Sequence, residues 1–171
     1  MAELDSGMSI YHYVTTCAPL EETIHVEVFG TEGHARWELD GHLRLTYGND
    51  PVDEPSPPED PGGTQRAMFR NFVDTLRGRT ELFCPLEETV PFVLTAAGAY
   101  ESARRIVQIP EEHIRRYPEK DSMATEVVDI VRIIDEAAAA RGTFSDIGVP
   151  WARRTAWFDL KGYEQFSGIE W

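Results

Sequence analysis

Residues 24–45 constrain the fold more than any other part of the chain, because apolar and charged side chains alternate along them almost without a break. Strict period-two alternation over runs this short fits half-buried antiparallel strands and no helix. Thr23 to Phe29 is rich in β-branched and aromatic residues, and Gly30 to Gly33 and Asp40-Gly41 supply turn chemistry. With Gly30 to Gly33 as a four-residue loop, Phe29 faces His34, Glu27 faces Arg36 and His25 faces Glu38. Ile24, Val26 and Val28 then share the opposite face with Ala35, Trp37 and Leu39. For the next hairpin, a two-residue Asp40-Gly41 turn would put Leu43 and Leu45 on the charged side. A three-residue loop pairs Leu39 with Leu43, Trp37 with Leu45 and Glu38 with Arg44, and is preferred. Ser9 to Thr16 reads as a preceding strand that adds Tyr11, Tyr13 and Thr15 to the apolar side and sets His12 opposite Glu27.

A sheet of this kind has one face that needs cover, and helices are the cover available. Met68, Phe69, Phe72, Val73 and Leu76 recur at three- and four-residue spacing, with Arg77-Gly78 as a C-terminal stop. That stripe is expected to be core. Cys84-Pro85 opens a second helix, with Glu87 and Glu88 where the positive end of the helix dipole favours acids. Pro91 predicts a kink or a 3₁₀ start. Ala96, Ala97, Gly98, Ala99, Ser102 and Ala103 leave a small-residue surface that predicts close approach of a neighbouring element, with Ala99 among the contact residues. The expected fold class is α+β, an open and mainly antiparallel β-sheet with helices packed on one face. The charged face, with His12, His25, Glu27, Arg36 and Arg44, then remains for solvent or a second subunit.

Further along, Gln108-Ile109-Pro110 reads as the end of a closing strand and Glu111 to Lys120 as a charged connector. Asp121 or Ser122 is placed to cap a third helix with Val127, Val128, Val131, Ile134 and Ala138 on one face, stopped by Gly142. The final segment, through Trp151, Trp157, Phe158, Tyr163, Phe166 and Trp171, is irregular and aromatic, a composition suited to lying on a protein surface. The chain is thus read as one α+β domain over 1–171, with sheet and helices in about 7–110 and the C-terminal helix and aromatic tail in 111–171.

Several of these segments carry a resemblance. Phe29-Gly30-Thr31-Glu32-Gly33 with Ala35 and Trp37 in the next strand forms the first. The Phe-x-x-Phe-Val-Asp-x-Leu-Arg-Gly helix from Phe69 to Gly78 forms the second, and Cys84-Pro85-Leu86-Glu87-Glu88 leading to Ala99-Tyr100-Glu101-Ser102-Ala103 the third. In this order and spacing, over roughly Gly7 to Pro110, they resemble the C-terminal domain of the glucose-fructose oxidoreductase / inositol dehydrogenase / rhizopine-catabolism (Gfo/Idh/MocA) family. Gly148-Val149-Pro150-Trp151 resembles the tail of some members. The resemblance implies a large open sheet that completes a sugar or polyol site and mediates oligomerisation, beside a Rossmann domain that holds NAD(P).

The residues for the other half of that chemistry are not in the sequence. No Gly-x-Gly-x-x-Gly occurs to seat a dinucleotide pyrophosphate on a helix N-terminus. The family's catalytic Glu-Lys-Pro segment and the later Asp and His helix have no counterpart either, so no catalytic or cofactor-binding residue carries over. The expectation is no cofactor for this chain alone and NAD(P) for the complete family enzyme.

Composition narrows the partners. The 42 % hydrophobic content and 171 residues suit a folded domain, and a formal charge of −14 argues against nucleic acid or an anionic membrane as partner, since both call for clustered Lys and Arg. Part of that acidity lies in Asp50, Asp53, Glu54, Glu59 and Asp60 among five prolines, which reads as a solvated loop. No apolar run suits a signal or membrane span, and Cys17 and Cys84 are too few for a disulfide framework, so a cytoplasmic protein with small buried thiols is expected. Four of five histidines fall in the strands. His12 and His25 could approach on adjacent strands about 4.8 Å apart, but His42 would be remote, and pairing with carboxylates such as Glu38 is preferred to a metal site. The leading functional reading is the substrate-binding and oligomerisation half of an oxidoreductase, present as a truncated chain or one with a separate Rossmann-domain partner, and forming a homodimer through the charged face of the sheet, with His12, His25, Glu27, Arg36 and Arg44 as the interface residues. A non-enzymatic dimeric interaction module is the alternative, and a free-standing enzyme with new chemistry the third.

Overall fold

The computed structural model describes residues 1–18, 24–39, 41–48, 50–54, 63–119 and 122–168. The fold is α+β, with three α-helices and antiparallel strands among the described residues. The strands form three separate pieces, of two, four and two strands, rather than one large sheet. The chain divides into two compact units: Met1–Leu20 with Leu86–Trp171, and Glu21–Pro85.

The Glu21–Pro85 unit holds β3 (His25–Phe29), β4 (Gly33–Glu38), β5 (Leu43–Tyr47) and β6 (Asp50–Glu54), paired in that order, and α1 (Gly63–Leu76). Between β3 and β4 the register is the expected one: His25 opposite Glu38, Glu27 opposite Arg36, Phe29 opposite His34. Between β4 and β5, Trp37 lies opposite Leu43 and Ala35 opposite Leu45, two residues from the expected pairing. The loop has the expected three residues but starts one earlier: the Glu38 N–H donates to the His42 carbonyl at 2.9 Å, and Gly41 takes the left-handed conformation at φ 90°. Because the shift is even, Leu43 and Leu45 stay on the apolar side. Gly33 is required where it stands, since a Cβ there would collide with the Thr46 backbone carbonyl.

Asp50–Glu54, expected as loop, is the edge strand β6. Pro51 lies opposite Thr46, and an edge is the one place where a strand tolerates the missing N–H. The rest of that proline-rich stretch, 55–62, lies outside the described residues.

Helix α1 corrects the expected core. Phe69 and Leu76 are exposed, Leu76 at 73 %, and Met68, Phe72 and Val73 are exposed too. The buried residue of α1 is Asn71, whose Nδ2 donates to the Glu81 carbonyl at 2.8 Å while its Oδ1 accepts from the Phe83 N–H at 3.0 Å. The helix thus turns its polar side toward the loop that follows it, and the apolar stripe faces outward.

In the other unit, Ser9–Ile10 (β2) pairs with Ala2–Glu3 (β1) instead of joining the meander, so His12 has no place opposite Glu27. Residues 11–17 keep the alternation without a sheet: Tyr11, Tyr13, Thr15 and Cys17 are half-buried, and His12, Val14 and Thr16 exposed. Residues 106–110 form no closing strand. The segment expected as a charged connector is a short 3₁₀ turn, Glu111–His113, and then β7 (Ile114–Glu119), paired with β8 (Ser122–Val127). Ser122 therefore opens a strand instead of capping a helix, and Asp121 lies outside the described residues.

Helix α3 (Ile130–Ala140) starts after Asp129, and its buried face is Ile130, Ile133 and Ala137, one step round from the face expected. With Val127 and Val149 these make the unit's buried apolar core. Its end is a Schellman arrangement, with the Gly142 N–H on the Ala137 carbonyl and the left-handed residue at Arg141.

Helix α2 (Leu86–Ala103) is a continuous α-helix across Pro91, without the expected 3₁₀ start. Gly98, Glu101 and Ser102, at i, i+3 and i+4, share one side of it, and the aromatic tail lies along that side. A Cβ on Gly98 would stand 3.0 to 3.2 Å from the Leu160 side chain. Ser102 Oγ donates to the Ala156 carbonyl at 2.6 Å, and the Tyr100 and Phe166 rings meet edge to face at 6.3 Å. The small-residue face is thus explained by the chain's own tail. The point of close approach is Gly98; Ala99 is exposed. Gly98→Leu is expected to destabilise by about 1–3 kcal/mol through overpacking against Leu160, and Ala99→Leu to change stability by less than about 0.5 kcal/mol. Urea denaturation midpoints of the two variants check this, and equal midpoints would remove the contact from the account.

Candidate functional site

Three surfaces have the chemistry of a site: the charged face of the four-stranded sheet, its apolar face, and the seam between α2 and the tail. On the charged face Arg36 is the hub. Its guanidinium donates to Glu38 at 3.0 Å and to Glu27 at 3.3 Å, and His34 Nε2 lies 3.5 Å from the same Glu27 carboxylate. Burial pulls the Arg36 pKa down, but the hydrogen bonds to Glu38 and Glu27 outweigh it and hold the group above its ordinary value. The His34 ring stacks on Phe29 with centroids 4.3 Å apart. Of the expected interface residues, the sheet brings His25, Glu27, Arg36 and Arg44 onto paired strands, with Arg44 opposite Arg36. His12 is not among them.

The premise behind that interface was a covered apolar face, and the described residues do not provide the cover. Val26, Val28, Trp37 and Leu39 stand exposed, Val28 at 57 % and Trp37 at 38 %. On the opposite side Arg36, Glu27 and Glu38 answer one another, although the buried His34 Nε2 is left without a hydrogen-bond partner, and the larger unrealised gain lies on the apolar face. Fully burying a large apolar side chain is worth about 1.5–3 kcal/mol. Covering these four half-exposed groups would therefore supply on the order of 3–6 kcal/mol. That alone does not overcome an association cost of about 4–15 kcal/mol, but adding the five-residue stripe of α1 brings the gain to about 7–13 kcal/mol.

The third surface was not legible in the sequence. Glu101, 5 % exposed, accepts from the Tyr163 hydroxyl at 3.0 Å, from the Ser167 N–H at 2.7 Å and from the Ser167 hydroxyl. The Ser167 hydroxyl first, then the Ser167 N–H, hold its carboxyl below the usual range against the opposing effect of burial, with Tyr163 and Arg104 adding to them. Burial and the Glu101 charge raise the Tyr163 hydroxyl in turn. All of these donors fasten the tail, which gives Glu101 a holding role. Asn71 does the same for the 79–83 loop.

Neither thiol is the buried hydrophobe expected: Cys84 is exposed and Cys17 half-buried, and both are free. Among the described residues no group of three or more His, Cys, Asp or Glu side chains is placed to hold a metal ion. Among them, too, no helix is long and apolar enough to cross a membrane. Searches against protein-family models, curated proteins and solved structures find no match to this chain.

Two measurements check these assignments. Arg36→Glu sets three carboxylates together and is expected to cost about 1 kcal/mol, with part of it restored by Glu27→Arg in the same chain; a double-mutant cycle reads the coupling, and zero coupling would dissolve the hub. Glu101 has a folded pKa below its unfolded one, so its stabilising effect is complete above the unfolded value near about 4.3 and is lost as the pH falls through the lower folded value. The Ser167 amide should lose hydrogen-exchange protection in that acid window in the parent chain, and Glu101→Gln should flatten the dependence.

Proposed function

We propose that this chain is the substrate-binding and oligomerisation part of a Gfo/Idh/MocA-like NAD(P)-dependent oxidoreductase acting on a sugar or polyol, resident in the cytoplasm and inactive on its own. The observation that carries the reading is the uncovered apolar surface of the Glu21–Pro85 unit, on the open sheet and on α1. A fold that completes its core within one chain has no use for such a surface, whereas a half-domain built to meet other polypeptides does. The order of the Phe29–Trp37, Phe69–Gly78 and Cys84–Ala103 motifs supports the same reading. In this reading NAD(P) is held by a Rossmann domain, on a partner chain or on a longer form of this one, since residues 1–171 carry no phosphate-cradling glycine loop.

The assembly in this proposal is a homo-oligomer through the sheet, with Val26, Val28, Trp37 and Leu39 at the contact and Glu27, Arg36 and Arg44 on the opposite side. A non-enzymatic dimeric module is the second reading, favoured by the same surface. Calorimetric titration of the isolated chain with NAD and NADP is expected to show no specific binding, and a micromolar dissociation constant would overturn the division of labour. Sedimentation at micromolar concentration is expected to show an oligomer that Trp37→Asp dissociates and Arg36→Glu does not. A monomeric parent chain would remove the assembly. Turnover of a polyol panel on adding a Rossmann-domain protein supports the oxidoreductase reading over the module.

A further inference from the structure

The Met1–Leu20 and Leu86–Trp171 unit contains a groove of about 570 Å³. Its walls are the end of α2, the extended segment after it, and the two turns that follow α3. This is within the size range of small-ligand sites. Its charge is anomalous for the chain. The sequence has 30 acidic residues against 16 Lys and Arg, yet the groove is lined by Arg105, Arg153 and Arg154 and by no carboxylate. Arg154 is answered by Asp146 at 3.2 Å. Arg105 and Arg153 have no ion pair or hydrogen bond of their side chains among the described residues. The backbone just before the groove is strained: Arg104, a non-glycine residue, ends α2 in the left-handed conformation at φ 57°, so that the chain turns sharply and Arg105 opens the extended segment along the wall.

The floor is apolar and fixed. Trp151 meets Phe144 edge to face at 5.7 Å, and Phe144 stacks on Tyr13 at 5.9 Å. The hydroxyls at the walls are already engaged: Ser102 Oγ with Thr155 Oγ1 at 2.7 Å and the Ala156 carbonyl, and Thr143 Oγ1 with Asp146 at 2.7 Å. A polyol needs free hydrogen-bonding partners along its length and finds few here. What the groove offers is two guanidiniums without ion pairs and an aromatic pair lining the same space, the combination that takes an oxyanion attached to a flat apolar body.

We propose that this groove binds a small aryl oxyanion, with its carboxylate or phosphate on Arg105 and Arg153 and its ring on Trp151. The site is independent of the sheet surface and of the proposed polyol chemistry. Titration of the whole chain with phenyl phosphate and with benzoate, followed by NMR shifts of the Trp151 indole N–H, tests it and separates the two anions. Saturable binding of either one is expected, with inorganic phosphate alone and benzyl alcohol alone at least tenfold weaker. Arg105→Gln and Arg153→Gln, both at exposed positions and checked for folding by circular dichroism, are each expected to weaken binding severalfold, and raised salt to weaken it further. Failure of both anions to saturate, binding unchanged in both variants, or inorganic phosphate binding as tightly as the aryl anions would each overturn the proposal.

Discussion

The carboxylate of Glu101 organises the larger unit. Burying a charged group is costly unless every lone pair of consequence is met by a donor, and here three donors from the tail converge on it. The tail has no helix or strand of its own over 151–168, so what fixes its path is this acceptor, together with the Gly98 notch for Leu160 and the Ser102 bond to Ala156. Nearer the groove the tail is held by the Ser102 bonds to Thr155 and the Ala156 carbonyl, and the turn after α3 by the Asp146 carboxylate on Thr143 and Arg154.

The Glu21–Pro85 unit is arranged the other way. Arg36 is shared between Glu27 and Glu38 and Asn71 is tied to the loop after α1, with the His34 Nε2 left over, while the unit's apolar side chains stand uncovered. Exposed charges lose little by staying in water, whereas Val28 and Leu76 keep most of their transfer free energy unrealised. This contrast is why the apolar side of the sheet carries the assembly reading.

The parts of this fold that were legible in the sequence are those governed by a short period. Alternation with period two placed His25 opposite Glu38 and Phe29 opposite His34, since a slip of one residue would have exchanged the two faces. The hairpin after β4 was legible in face but not in register, because either of two three-residue loops keeps Leu43 on the apolar side and only the left-handed Gly41 decides between them. β7 and β8 were missed because charges and Pro118 mask a weak alternation in β7, and the third helix was then started too early by counting Val127 at the end of β8, and Val128 after it, into its stripe. The Glu101 seam was out of reach for a different reason. Its donors lie 62 and 66 residues away in sequence, and nothing local marks Tyr163 and Ser167 as belonging to a glutamate on α2.

The stripe of α1 shows why periodicity by itself does not decide burial. Met68, Phe69, Phe72, Val73 and Leu76 are spaced as a core face must be, yet the helix turns Asn71 inward because that side chain can satisfy both a carbonyl and an N–H of the following loop. A hydrogen bond of this kind is worth about 0.5–1.5 kcal/mol net, so the two that Asn71 makes are together comparable to one buried aromatic and compete with the stripe for the inward position. Periodicity then identifies a surface that must be covered by something, and the polar network identifies which side the chain itself covers. Taken together they place the uncovered side of α1 and the uncovered face of the sheet in the same unit, and it is on that shared surface that the proposed assembly rests.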